Sequence, residues 1–212
     1  MNYKVKSIKS ELCKDWLLHK HYAKRMCSIS YAFGLYDNKF LVGVCTFGYP
    51  PNYNYNNGSC IFNNFKCLTL ELNRLVINEG LHNNALSFFV SKCLKKLPKP
   101  SCVVSYADQN NGHNGYIYQA TNFIYTGLST PKYKYVFEDG STFDIRRGID
   151  KKGKIVQKIK LLPTHRYIYF NGSKKEVKKM HKDLKMKICK YPKGKNTRYD
   201  SSYKPLVQTE LF

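Results

Sequence analysis

The run from Ser105 to Gly127 constrains this chain more than any other. It reads Ser-Tyr-Ala-Asp-Gln-Asn-Asn-Gly-His-Asn-Gly-Tyr-Ile-Tyr-Gln-Ala-Thr-Asn-Phe-Ile-Tyr-Thr-Gly. An apolar stretch ends in a carboxylate, Asp108. The chain then turns through Gly112 and Gly115 with His113 between them, enters a short helix carrying Tyr116, Tyr118 and Gln119, and comes back as a second apolar stretch from Phe123. A strand end, a glycine turn and a helix start in succession belong to an α/β layer, and such folds place polar chemistry at strand ends.

The upstream sequence extends the same layer. Met1 to Ile8 alternates as a short strand. Ser10 is placed to cap a helix to about Lys20 with Leu12, Trp16 and Leu17 on one face. Ile29 to Leu35 and Phe40 to Phe47 are apolar runs joined by Tyr36-Asp37-Asn38-Lys39, a hairpin pattern, and Tyr49-Pro50-Pro51 stops the second. Asn52 to Asn64 reads as a loop. Cys67 to Ile77 predicts a strand, Asn83 to Leu97 an amphipathic helix with Leu86, Phe89, Val90, Cys93, Leu94 and Leu97 inward, and Cys102 to Ala107 a strand. The fold class expected is α/β (α+β): one mixed sheet flanked by helices, with a basic C-terminal extension.

The extension is set apart by charge. The chain holds 36 Lys and Arg against 14 Asp and Glu, net +22. From residue 131 onward there are 22 basic residues against 8 acids, so +14 of the +22 lies there. Such a field attracts polyanions. The division expected is a core over 1–130 and a basic β/α extension over 131–212, extended or disordered from about 190. Within it, Tyr133 to Phe137 and Thr142 to Ile145 pair across Glu138-Asp139-Gly140, and Lys151 to Lys160 is basic and β-like. Ser173 can cap a helix to about Lys187 whose apolar stripe is Val177, Met180/His181, Leu184 and Ile188. Lys174, Lys175, Lys178, Lys179 and Lys182 cover the rest of that helix, as a solvated face or as phosphate contacts to double-stranded DNA.

None of the eight cysteines forms a Cys-x-x-Cys pair, which argues against structural zinc and for reduced thiols in a cytoplasmic setting. No apolar stretch reaches membrane-spanning length.

Several side chains could carry chemistry. Asp108 can accept a proton or orient an exocyclic amine; it can equally cap the turn behind it. Tyr116 and Tyr118 lie two apart on a short helix and face different sides; Tyr118 is the candidate for proton transfer or base stacking. Arg74, among Leu70, Leu72, Val76 and Ile77, needs a ligand phosphate or Asp108 as partner, because Glu71 faces the other side of a regular strand. His21, with Tyr22 and Arg25 beside it, could serve as base, donor or metal ligand. If His21, Tyr22, Asp108 and Tyr118 converge, they could hold a divalent ion such as Fe(II).

These motifs, in this order, resemble the Mom family of phage DNA-modification proteins: His21-Tyr22-x-x-Arg25, Leu41 to Gly48, Glu71-Leu72-Asn73-Arg74-Leu75, Ser105-Tyr106-Ala107-Asp108, and Gly112-His113-x-Gly115-x-Ile117-Tyr118-Gln119-Ala120. The resemblance covers roughly residues 16 to 127. It implies a GNAT-like acyltransferase fold and conversion of adenine in DNA to an N6-carbamoylmethyl form that evades restriction, in a phage- or prophage-encoded protein. It carries Asp108, Tyr118, His21, Tyr22 and Arg74 over as catalytic and places His21 to Arg25 over the acceptor groove, with Arg25 toward DNA. The segment matching a GNAT pyrophosphate loop, Asn78 to Ala85, keeps one glycine and lacks the pattern. Gly80, Asn83, Asn84 and Ser87 are therefore expected to face a donor that is either an acyl-coenzyme A or a glycyl-tRNA. A conventional N-acetyltransferase and a non-catalytic DNA-binding protein are the competing readings, and a homodimer is allowed.

Overall fold

The computed structural model describes residues 2–51, 58–144 and 153–194, together with 201, 203 and 205. The first part of the expected loop (52–57), the end of the expected hairpin at Ile145, Lys151 and Lys152, and most of the expected tail lie outside the described residues.

Among the described residues ten strands form two sheets. The main sheet has the order β1 (Tyr3–Ser7), β2 (Tyr31–Asp37), β3 (Phe40–Gly48), β4 (Leu68–Ile77), β5 (Ser101–Asp108), β10 (Thr164–Asn171) and β6 (Ile124–Leu128). Only β4 and β5 run parallel, and helix α1 (Ala85–Lys96) makes the crossover that parallel strands require. The smaller sheet has the order β8 (Thr142–Asp144), β7 (Tyr133–Phe137) and β9 (Ile155–Lys160). The mixed sheet flanked by helices is the fold class expected.

Alternation along the strands divides the core. On one face Phe33, Leu35, Phe47, Leu70, Leu72 and Val103 meet Phe89, Val90, Cys93 and Leu94 of α1. On the other face Val44 and Tyr36 pack with Cys13, Trp16 and Leu17. Further along that face Cys102, Val104, Ile168 and Phe170 pack with Met180 of helix α3 (Lys174–Asp183). Each cluster removes several large apolar side chains from water, at roughly 1.5–3 kcal/mol apiece.

Three local outcomes differ from the sequence reading. Ser10 does not cap a regular helix: a 3₁₀ turn over Ser10–Cys13 leads into a π-helical turn over Trp16–Lys20, and the residue ahead of it, Lys9, makes no side-chain cap. Ile61 and Phe62, inside the expected loop, are fully buried, and the carboxylate of Asp183 accepts the backbone N–H groups of Asn64 and Phe65. Residues 164–171, placed in the basic extension by charge, form β10, inserted in the main sheet between β5 and the edge strand β6. Its polar start, Thr164-His165-Arg166, hides the burial of Tyr167, Ile168 and Phe170. The Ser173 cap is as expected, and Glu176 completes a capping box.

Candidate active site

The site begins where two parallel strands separate. β4 and β5 pair only from Leu68–Ser101 to Glu71–Val104. Beyond that point β4 stays with β3 to Ile77, while β5 stays with β10 to Asp108. At the crotch of the fork the Ser105 hydroxyl donates to the Leu72 carbonyl at 2.9 Å, satisfying a strand acceptor whose ladder partner has moved away. A cleft of about 1650 Å³ opens from the fork, lined among others by His21, Tyr22, Arg25, Glu71, Arg74, Asp108, His113 and Tyr118.

A bulge in β4 decides which side chains enter it. Thr46 pairs with Arg74 and Phe47 with Leu72, so Asn73 is the extra residue. Its side chain accepts from Thr46 Oγ1 at 2.6 Å and donates to the Ser28 carbonyl at 2.8 Å, which pins the bulge. Leu70, Leu72, Leu75 and Ile77 all pack with the α1-side core. Glu71 and Arg74 consequently share the opposite face, in the cleft. The expectation from regular alternation, that Glu71 points away from Arg74, is therefore corrected. Arg74 Nη1 donates to the Asn73 carbonyl, and the buried Nε–H has no partner among the described residues.

Asp108 ends β5 and lines the cleft. Its Oδ1 accepts from the Asn110 backbone N–H at 3.0 Å and from Asn110 Nδ2 at 2.9 Å; its Oδ2 accepts from Asn111 Nδ2 at 3.0 Å. The carboxylate thus caps the 3₁₀ turn Gln109–Asn111, and both of its roles read from sequence fit one geometry, since its oxygens offer about four lone-pair sites. The turn closes with Gly112 in the left-handed region, and His113 follows.

His21 is buried, and its Nδ1 accepts the Ala23 backbone N–H at 3.0 Å. Burial, aided by the nearby Arg74, His113 and Arg25, pushes its pKa down to about 3. The ring is therefore neutral near pH 7 with its proton on Nε2, which makes it a hydrogen-bond donor rather than a base. It stacks on Tyr22 at 4.4 Å, and Tyr22 meets His113 edge-on at 5.2 Å.

Helix α2 (Tyr116–Ala120) sorts the two tyrosines: Tyr116 is 69% exposed, whereas the Tyr118 ring packs on Phe123 and Tyr167. Burial drives the Tyr118 phenol well above the ordinary tyrosine range, a hydrogen bond with Ser105 partly opposing it. It remains protonated and can donate. Gly115 makes this packing possible: its φ is +82°, and a Cβ there would stand 2.3 Å from the Tyr167 ring.

The other expected residues divide. Asn83, Asn84 and Ser87 line the cleft at the start of α1, while Gly80 is absent from the lining and turns the preceding loop with φ +75°. Asn84 provides no side-chain cap, and the first N–H group of α1, that of Ala85, donates to the His82 carbonyl at 2.8 Å. Arg25 lines the cleft, but Lys174, Lys175, Lys178, Lys179 and Lys182 do not; they belong to α3. The iron site that His21, Tyr22, Asp108 and Tyr118 would form is not assembled. Among the described residues no group of three or more His, Cys, Asp or Glu could hold a metal. Sequence reasoning missed Glu71, whose place depends on the bulge. It also missed the buried Lys20, whose Nζ meets both carboxylate oxygens of Glu79 at 2.8 and 2.7 Å at the cleft edge. No helix among the described residues is long and apolar enough to cross a membrane.

Comparison with known proteins adds the following. The chain is 31% identical over 137 residues to the methylcarbamoylase mom of Escherichia phage Mu, a match covering 60% of this chain and 56% of that protein, so it spans little more than half the relative's length. Among solved structures it is similar to the acetyltransferase yncA of Salmonella typhimurium, with 12% identity, 82% of this chain, 96% of that one and a TM-score of 0.47. An N-acetyltransferase of Staphylococcus aureus Mu50 gives 16% identity, 80% and 99% coverage and a TM-score of 0.46. The Mom protein family model matches residues 2–193, nearly the whole chain, and the protein belongs to that family.

Proposed function

We propose that this protein is a transferase that modifies adenine in DNA at N6, attaching a carbamoylmethyl group and so shielding the DNA from restriction. The observation that carries the reading is the unpartnered Nε–H of Arg74, buried in a cleft that also holds Glu71, Asp108 and a protonated Tyr118. A buried donor without an acceptor is costly in a finished structure and signals a ligand that completes it. Membership of the Mom family and the name of the phage Mu relative support the same chemistry.

In this reading the target adenine leaves the duplex and enters the cleft. Its N6 is a weak nucleophile because the lone pair is delocalised into the ring. Asp108 accepts a hydrogen bond from the N6 amine as positive charge develops there. Arg74 and the neutral His21 Nε2–H donate to oxygens of the donor, where negative charge accumulates. Tyr118 gives its proton to the leaving group. The start of α1, at Asn83, Asn84 and Ser87, holds the donor's anionic part. Both an acyl-coenzyme A and a glycyl-tRNA present such an anion next to an activated acyl group: attack by N6 on a glycyl carbonyl forms the N6–C(O) bond and releases the donor's thiol or hydroxyl, and the free glycyl amine then displaces that amide nitrogen at C6 through a five-membered ring, which leaves a C6–NH–CH2–C(O)NH2 group made of the same atoms.

The test is mass spectrometry of nucleosides digested from the DNA of cells expressing the protein, beside an Asp108→Asn control. A new adenine species present only with the wild-type chain is expected, and its mass identifies the transferred group. Unmodified DNA in cells containing folded protein overturns the reading.

A further inference from the structure

The chain leaves the main sheet after β6, builds the three-stranded sheet β8-β7-β9, and returns to the main sheet at β10. No helix covers this arm among the described residues, and its composition is unusual for an uncovered surface. All six residues of β9 are exposed, including Ile155, Val156 and Ile159 at 51%, 57% and 37%. Cross-strand register puts Tyr133 opposite Lys160, and Tyr135 opposite both Lys158 and Phe143. One face therefore interleaves aromatic rings with lysines. Lys158 Nζ lies 4.1 Å from the Tyr133 ring centroid and 5.9 Å from that of Tyr135, and Tyr135 stacks on Phe143. Lys132 and Lys154 add positive charge; Glu138 and Asp139 occupy the hairpin tip, and Asp144 is opposite Lys134 in the β7–β8 register.

The root of the arm is tied to the candidate active site. Leu162 N donates to Asn110 Oδ1 at 3.1 Å, and Asn110 Nδ2 donates both to the Leu162 carbonyl at 3.2 Å and to Asp108 Oδ1 at 2.9 Å. Gln109 Nε2 reaches the Pro163 carbonyl, and Leu161 N donates to the Lys132 carbonyl. Lys132 lines the cleft. One asparagine side chain thus joins the arm to the carboxylate that faces the adenine.

We propose that this three-stranded arm, rather than the lysine-covered helix α3, is the surface on which duplex DNA docks. The inference rests on the proposed function for the choice of polyanion. Lys158 and Lys160 neutralise phosphates, and a twisted three-stranded ribbon with exposed apolar and aromatic side chains suits a groove of the duplex. The Asn110 link sets the docked strand in a fixed position relative to Asp108. Helix α3 is also rich in lysine, but its Asp183 is bonded to Asn63, Asn64 and Phe65, whereas the arm is bonded to the Asp108 turn.

Duplex oligonucleotide binding to the full chain, followed by fluorescence anisotropy over a series of salt concentrations, tests the assignment. The Lys158→Ala/Lys160→Ala variant is expected to lose affinity, with the slope of log affinity against log salt shallower by about two, close to one for each phosphate no longer neutralised. Lys158→Arg/Lys160→Arg should keep the wild-type slope, which separates missing charge from a damaged fold. Lys174→Ala/Lys178→Ala should bind as wild type. An arm variant that binds with wild-type affinity and slope overturns the proposal, and so does an equal loss in the arm and α3 variants. Binding through the arm without any modified nucleoside would remove the proposed function and leave the docking surface standing; modified DNA with binding indifferent to the arm would do the reverse.

Discussion

Glu71 and Arg74 stand on the same face of β4 although they are three positions apart in sequence, because Asn73 is bulged out of the pairing with β3. In a regular strand one of the two would be buried against α1. The bulge brings an acid and a base into one cleft and leaves Leu72 and Leu75 in the core. Bulges beside active sites are a recurrent means of re-aiming a side chain.

The unpartnered Nε of Arg74 makes the guanidinium more than a positive charge. Arg74→Lys keeps the charge but loses the planar fork, and it is expected to lower DNA modification by about two orders of magnitude while the circular dichroism spectrum stays as wild type. Nucleoside mass spectrometry at equal protein levels reads this directly; near-normal modification by Arg74→Lys would assign the residue to simple charge balance.

Asp108 caps the turn behind it and, in the proposed function, accepts from the adenine amine; substitution can separate the two. Asp108→Asn keeps an oxygen to accept from Asn110 N–H, so the melting temperature should change by no more than the equivalent of about 1 kcal/mol. Loss of the anion should still cost modification roughly 100-fold or more. Equal losses of stability and activity would point to capping as the only role.

Tyr118 has its ring in the core and its hydroxyl at the fork. Tyr118→Phe retains the contacts with Phe123 and Tyr167 and should unfold close to the wild-type temperature, yet modify DNA poorly. Tyr118→Ala empties the ring site and should cost about 3–5 kcal/mol. Full activity in Tyr118→Phe would place the proton donor elsewhere.

His21 makes stability depend on pH. Its pKa falls from 6.5 in the unfolded chain to about 3 in the fold. Between those values the unfolded state binds a proton that the folded state refuses, so its contribution is fully present above pH 6.5 and is lost as the pH drops toward 3. The loss amounts to a few kcal/mol at most, as an order of magnitude. Urea unfolding of wild type and His21→Gln at about pH 7.5 and about pH 5 should show the wild type weakening more on acidification. Parallel pH dependence in both proteins would contradict a neutral buried ring.

Much of this was legible in the chain. The Asp108 turn, the succession of strand, amphipathic helix and strand from Cys67 to Ala107, the different sides taken by Tyr116 and Tyr118, and the Ser173 cap all follow from short-range rules of turn chemistry and periodicity. β10 was not legible, because its burial comes from β5 and β6, partners far away along the chain, while its own first residues are polar. The Ser10 helix failed for a related reason. Burying Cys13, Trp16 and Leu17 against Val44 and Tyr36 overrode the regular α-helical turn that capping and periodicity favoured.

Sequence alone thus determined the mixed sheet, the basic charge and the candidates Asp108, Arg74, His21 and Tyr118, since local pattern and charge are properties of neighbouring residues. Tertiary structure decided how those groups meet. It parted β4 from β5 to make the cleft, added the bulge that turned Glu71 beside Arg74, and buried His21 until it lost its charge. It also held the arm against the Asp108 turn through Asn110. Each of these depends on strand pairing or desolvation between segments distant in the chain, and no local pattern encodes either.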